Sequence, residues 1–184
     1  MKLYKNVNIE DLESILKKGV LSIRDCGNNN WRDGKRANNA DDVVYLFEPA
    51  GSINSFVQYG AALLEIEVNS PTEAVMDAQD VNIGKYREFT VQKISTEQIK
   101  AIYIPKIFEG KDELNEAIAQ RVTYCEIEAE VYCSDANEWM QASEMDFAPL
   151  LAYERFTSTD FVNYFRGINH DNTMVDYRNF TYKI

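Results

Sequence analysis

The stretch from Tyr86 to Pro105 constrains the fold more than any other, because it reads as two strands joined by one tight turn. The first strand runs from Glu88 to Ile94. Strand side chains alternate, so Phe89, Val91 and Lys93 share one face, and Glu88, Thr90, Gln92 and Ile94 share the other. Glu88 therefore opens a strand on its more polar face. Ser95 caps the turn with Gln98 as its reciprocal partner three residues on. The second strand runs from Ile99 to Ile104, and Pro105, having no N–H to give, stops the ladder.

Around this strand–turn–strand unit the apolar periods alternate between helix and strand, which predicts an α+β domain. Leu3-Tyr4 opens a strand, and Asn8 caps a helix whose Ile9, Leu12, Ile15 and Leu16 form a stripe closed by Lys17, Lys18 and Gly19. A short strand follows at Val20-Leu21. Val43 to Phe47 is a strand stopped by Pro49, and Ser52 caps a short helix burying Ile53, Phe56 and Val57. Ala61 to Val68 is a strand with Ala62, Leu64, Ile66 and Val68 facing in and Glu65 and Glu67 facing out. Thr72 to Ala78 reads as helical.

From residue 109 the chain has its own organisation, so two units are expected: 1–108, and an aromatic-rich extension over 109–184 packed on the first. The extension reads as a helix from Asp112 to Ala119, a long strand from Arg121 to Cys133 and a helical piece from Asn137 to Gln141. Helical pieces at Phe147 to Phe156 and Asp160 to Phe165 and a closing strand from Met174 to Lys183 complete it. Its aromatic residues suit a core or a partner-binding face equally.

The charge narrows the partners. With 30 acidic against 19 basic residues the formal net charge is −11, which repels a phosphate backbone and argues against direct duplex DNA binding. A basic protein target, or mimicry of nucleic acid, fits that sign. Cys26, Cys125 and Cys133 lack metal-binding spacing and read as reduced thiols; with no long apolar run, a soluble cytoplasmic protein without membrane contact is expected.

Residues 22–42 form a Gly- and Asn-rich loop around Trp31-Arg32-Asp33-Gly34-Lys35-Arg36, the only basic cluster. An indole beside Arg32 and Arg36 suits stacking on a base and pairing with phosphates; a solvated turn with Trp31 folded inward is the plainer reading. Glu128 and Glu130 read as the outward face of a half-exposed strand. His170 is the single histidine and has no second ligand nearby, so no metal site is expected.

Three motifs in order resemble the ADP-ribosyltransferases of the poly(ADP-ribose) polymerase and diphtheria-toxin branch. The first is Leu3-Tyr4-Lys5-Asn6-Val7 leading to Leu12 through Gly19-Val20-Leu21, where that family has an aromatic-His-Gly-Ser/Thr strand and a helix ending "ILxxGL". The second is Val43-Val44-Tyr45-Leu46-Phe47, then Ser55-Phe56-Val57-Gln58-Tyr59, then Leu63-Leu64-Glu65-Ile66-Glu67-Val68. The third is Tyr86-Arg87-Glu88-Phe89-Thr90-Val91, matching "Tyr-x-Glu-Tyr/Phe-x-Val".

The resemblance covers about the first 105 residues. It implies split, twisted antiparallel sheets with short helices and NAD as substrate. Tyr45 would stack on the nicotinamide, Tyr59 would close its other face, and Glu88 would steady the cationic sugar as the ring leaves. Tyr4, Lys5 and Asn6 would line the cofactor site, with Lys5 in place of the family's histidine and Asn6-Val7 in place of its Gly-Ser/Thr. The implied activity is mono-ADP-ribosyl transfer to a macromolecule, a protein rather than a nucleic acid given the charge, by a toxin-like or phage counter-defence (anti-CRISPR) effector. An inactive acidic binding protein and an NAD glycohydrolase are the alternatives.

Overall fold

A computed structural model describes residues 1–26, 40–49, 54–55, 61–75, 86–110, 114–133, 138–142 and 173–184. Two sheets organise them. The larger has seven strands in the order β5-β6-β2-β1-β4-β7-β8: Thr72–Glu73, Tyr86–Val91, Val44–Pro49, Lys2–Val7, Ala62–Glu67, Ile99–Pro105 and Val122–Cys125. Every pairing in it is antiparallel except β7 with β8, so the sheet is mixed. The smaller sheet has the order β10-β9-β11-β3: Glu138–Ala142, Ile127–Cys133, Thr173–Tyr182 and Asn54–Ser55. Among the described residues α-helices are few and short: α1 is Leu12–Lys18, α2 is Ile23–Cys26 and α3 is Glu116–Ala119.

The core lies on the central strands. Leu3, Leu46, Leu63, Leu64 and Ile66 are fully buried together with Leu12, Ile94 and Phe108. Helix α1 and the 3₁₀ turn Ile9–Asp11 before it lay Ile9, Leu12 and Ile15 into this core, as their helical spacing predicts. Asn8 occupies the cap position, but its side chain donates to Asp11 rather than accepting from the helix. Gly19 ends α1 with φ +81° and ψ −174°, and its N–H donates to the Ile15 carbonyl at 2.7 Å. The chain then docks through a two-hydrogen-bond bridge, Val20 to Ile94, each N–H···O 2.9 Å. A Cβ on Gly19 would lie 2.0 Å from the Ile94 carbonyl oxygen.

The unit of two strands and a turn forms with shifted limits, and its strands do not pair with each other, since β2, β1 and β4 lie between them in the sheet. Its first strand starts two residues early, at Tyr86, and ends at Val91, so Glu88 is its third residue rather than its first. Ile94 leaves that ladder to bridge Val20. The turn closes as a capping box in which Gln98 Oε1 accepts from the Ser95 N–H at 2.8 Å, and the second strand ends at Pro105.

Several helical expectations give way to pairing. Glu138–Ala142 is a strand laid against β9, not a helix, with Trp139 opposite Tyr132. Thr72–Glu73 pairs with Thr90 and Phe89, so the helix expected from Thr72 is absent there. Asn54–Ser55, inside the helix expected from Ser52, pairs with Thr181 and Phe180. In each case ladder pairing outweighs a weak local helical preference. The expected helix from Asp112 is limited to Glu116–Ala119, capped by Asn115 Oδ1 accepting from the Ile118 N–H.

The long strand expected from Arg121 to Cys133 breaks at Glu126. β8 ends with Cys125 beside Pro105 in one sheet, and β9 begins with Ile127 beside Tyr182 in the other. Strands thus come to each sheet from both sides of residue 108. Cys26 and Cys125 are free thiols, and burial pushes Cys125 up to about 12. Among the described residues no helix is long and apolar enough to cross a membrane. The expected helical pieces between 147 and 165 lie outside the described residues.

Candidate functional site

Pairing across the sheet sets Glu88, Phe47, Tyr4 and Glu65 in one row, contributed in turn by β6, β2, β1 and β4. Directly opposed residues point to the same face, and four strands at ordinary spacing make the row about 14 Å long. Two aromatic rings separate the two carboxylates. Tyr4 and Phe47 have centroids 6.0 Å apart, and Phe47 meets Tyr86 edge-on at 6.3 Å. Tyr4, Phe47 and Tyr86 are all buried.

The two ladders of β1 differ. Against β4 it pairs at six successive positions, from Lys2–Glu67 to Val7–Ala62. Against β2 the register is a single pair, Tyr4–Phe47. One residue beyond that pair, Lys5 turns across the interval and its Nζ donates to the Tyr45 carbonyl at 3.2 Å. A lysine side chain therefore serves a β2 carbonyl where a ladder N–H would ordinarily do so. The Glu88 charge acts on the same ammonium. Desolvation lowers Lys5 to about 8, and Glu88, pulling the other way, does not overcome it.

Tyr45 is anchored at its far end as well: its hydroxyl accepts from the Ala40 N–H at 3.0 Å. Asn6 is buried at the end of β1, opposite Leu63. Lys5 and Tyr45, forty residues apart in sequence, are thus joined by a hydrogen bond, and the charge of Glu88 acts on the Lys5 ammonium from the strand on the far side of β2. Tyr59, Arg32 and Arg36 lie outside the described residues, as do Trp31 and His170. The same holds for the Glu130 side chain. Glu128 is exposed and pairs with Lys183 at 2.7 Å, as an outward strand position should.

Beside Glu88, Arg87 clamps β6 to its neighbours. Its guanidinium donates to both Glu73 oxygens at 2.9 and 2.7 Å and to Glu48 at 3.0 Å, while lying 5.1 Å from the Phe89 ring centre. Arg87 holds the Glu73 carboxyl below its ordinary value through that hydrogen bond.

Glu65 is the residue that sequence reasoning placed wrongly. Expected to face out, its side chain is 14% exposed and gathers Lys2 at 3.0 Å and the Tyr103 hydroxyl at 3.1 Å, beside Tyr4. Burial first, then the Glu65 charge, pushes Tyr103 up to about 12 and raises Tyr4 as well. The alternation in Ala62 to Glu67 carries no sign of this. Only the pairing of β4 with β1 and β7 reveals that Lys2, Tyr4 and Tyr103 stand on either side of Glu65. Glu65→Ala removes the acceptor from two phenols, and a loss of about 2 kcal/mol is expected in urea unfolding, against well under half that for Glu65→Gln. Equal losses in the two variants would mean that packing, not hydrogen bonding, sets the cost.

Lys5 gives a pH signature of its own. Between about 8 and its ordinary 10.5 the unfolded chain holds a proton that the folded chain has released. Stability therefore rises with pH across that window. Tyr103 works in the opposite direction above pH 10, since the folded state keeps its proton longer. Compared with Lys5→Met, the wild type should gain about 2 kcal/mol between pH 8 and 10 in denaturant midpoints. Parallel curves for the two proteins would show that Lys5 titrates as an ordinary lysine.

No protein-family model matches this chain, and no curated protein or solved structure matches it either. Among the described residues no group of three or more His, Cys, Asp or Glu side chains is placed to hold a metal ion.

Proposed function

We propose that the chain is a mono-ADP-ribosyltransferase that uses NAD as donor and a macromolecule, in keeping with its charge a basic protein, as acceptor. One observation carries this reading: Lys5 on β1 reaches the Tyr45 backbone of β2 and lies under the charge of Glu88 on β6. These are the positions at which the three motifs of the resemblance carry their cofactor and catalytic residues. They come from three adjacent strands of one sheet, in the order β6-β2-β1. The fold proposed with it is that family's split pair of twisted sheets.

The chemistry suits the residues. Breaking the bond between nicotinamide and ribose builds positive charge on the sugar, and a fixed carboxylate such as Glu88 favours that state over the ground state. Tyr45 supplies an aromatic face for a flat cationic ring. A lysine in place of the family's histidine brings a charge that opposes a pyridinium. Its lowered value, about 8, lets that charge go in mildly alkaline solution, so NAD binding should tighten as pH rises through 8.

The deciding experiment is NAD titration with assay of free nicotinamide. Binding with nicotinamide release supports the enzyme, and mass analysis of a basic acceptor protein separates transfer from hydrolysis. The net charge of −11 favours the second reading, an acidic binding protein on a transferase-like scaffold; the absence of any NAD binding would select it.

A further inference from the structure

The strand that carries Glu88 is bordered on its outer side by β5, which has only two residues, both exposed. Ala74 after them is half-buried and Val75 is 99% exposed. Little apolar burial therefore holds this strap in place. Two residues of ladder are marginal by themselves, because water competes for the same hydrogen bonds. Yet the strap meets the Glu88 backbone directly: the Ala74 N–H donates to the Glu88 carbonyl at 2.8 Å. Thr72 and Glu73 lie opposite Thr90 and Phe89, and Thr90 Oγ1 donates to the Thr72 carbonyl at 3.4 Å.

Arg87 supplies what burial does not. It lies opposite Glu48 of β2 and diagonal to Glu73 of β5, so its guanidinium spans three adjacent strands. Nε and one terminal nitrogen fork onto the two Glu73 oxygens, and the other terminal nitrogen donates to Glu48, so all three nitrogens are engaged. Isolated surface ion pairs contribute little, but a bidentate fork within a network is the exception, and here the Phe89 ring supports the guanidinium as well. Side chains alternate, so Arg87 and Glu88 point to opposite faces of β6. The route from Arg87 to Glu88 thus runs through the strap and the backbone, not through side-chain contact.

From this arrangement we propose that Arg87 is a positioning residue: by gripping Glu73 it latches Thr72–Ala74 onto β6, and the latched strap fixes the backbone from which Glu88 projects. The catalytic consequence rests on the transferase reading; the latch itself does not. Both ionic partners are half-exposed, Arg87 at 55% and Glu73 at 53%, so salt weakens the grip. The screening length falls from about 10 Å at 0.1 M salt to about 3 Å at 1 M.

The test uses the intact chain and NMR-detected exchange of the Ala74 amide, with the Val20 and Ile94 amides, bonded to each other's carbonyls, as controls. In Arg87→Met the Ala74 amide should exchange about three- to tenfold faster while the controls stay within about twofold. Glu73→Ala, a change confined to an exposed side chain, should do the same, so the result does not depend on how well Arg87→Met folds. Raising NaCl from about 0.1 to about 1 M should speed Ala74 exchange in the wild type and leave it nearly unchanged in both variants. Unchanged Ala74 exchange in the two variants overturns the proposal. In nicotinamide release, kcat should fall about three- to tenfold in both variants with KM for NAD unchanged. That fall should vanish in a Glu88→Gln background, because a misplaced carboxylate costs nothing once the carboxylate is gone. An unchanged kcat, or a fall that persists in the Glu88→Gln background, overturns the positioning role. A wild type that releases no nicotinamide removes the transferase reading alone, and the exchange of Ala74 still decides the latch.

Discussion

With the proposed transferase activity, Glu88→Gln should reduce nicotinamide release from NAD by about a hundredfold to a thousandfold while the melting temperature moves by no more than a degree or two. The substitution keeps the shape of the side chain and removes its charge. Glu88 lies across from Phe47 in the middle of β6, and the strand is held independently by the Arg87 clamp to Glu73 and Glu48. The ladder and its buried aromatics therefore remain. What is lost is the negative charge against which positive charge on the sugar develops, and that charge matters only as the bond breaks. NAD binding should thus persist while turnover falls. Full turnover in the variant would remove Glu88 from the chemistry, and a large fall in melting temperature would show that its role is to hold the strands.

The largest effect on stability is expected at Gly19, where replacement by Ala should cost about 4 kcal/mol and lower the melting temperature by roughly 10 °C. Two costs add. The backbone sits at φ +81° and ψ −174°, a region that side-chain-bearing residues scarcely enter. The new methyl would also stand 2.0 Å from the Ile94 carbonyl oxygen, a backbone atom that is itself bonded to the Val20 N–H. Relief requires either unwinding the end of α1 or breaking the Val20–Ile94 bridge. The bridge is what ties α1 to the turn after β6. A loss below about 1 kcal/mol would mean that this bridge yields easily.

Much of the central sheet was legible because its strands carry strong local signals. Leu12 and Ile15 mark one helix face, Gly19 marks its end, and Ser95 with Gln98 marks the turn, each by short-range chemistry that survives into the fold. The positions of Tyr45 and Glu88 came from motif order, not from periodicity, which treats both as ordinary strand residues. What was not legible depends on partners far away in the chain. Asn54–Ser55 is a strand because Phe180 and Thr181 lie beside it, and nothing near residue 54 announces that. Glu65 looks like a surface acid until β1 and β7, pairing on either side, bring Lys2 and Tyr103 against it. The break at Glu126 is invisible to alternation, because the apolar pattern continues while the strand changes sheets.

The bond from the Tyr182 hydroxyl to the Ala61 carbonyl spans 121 positions of sequence, and the β3–β11 ladder spans slightly more. During synthesis the segment at residue 54 must therefore wait, unpaired, until Phe180 and Thr181 have emerged. Contacts separated so widely are entropically expensive to nucleate, so assembly should be gradual and β11 should be among the last pieces to dock. In the interval, edges meant for that strand stand open, and self-association at this stage competes with completion of the domain.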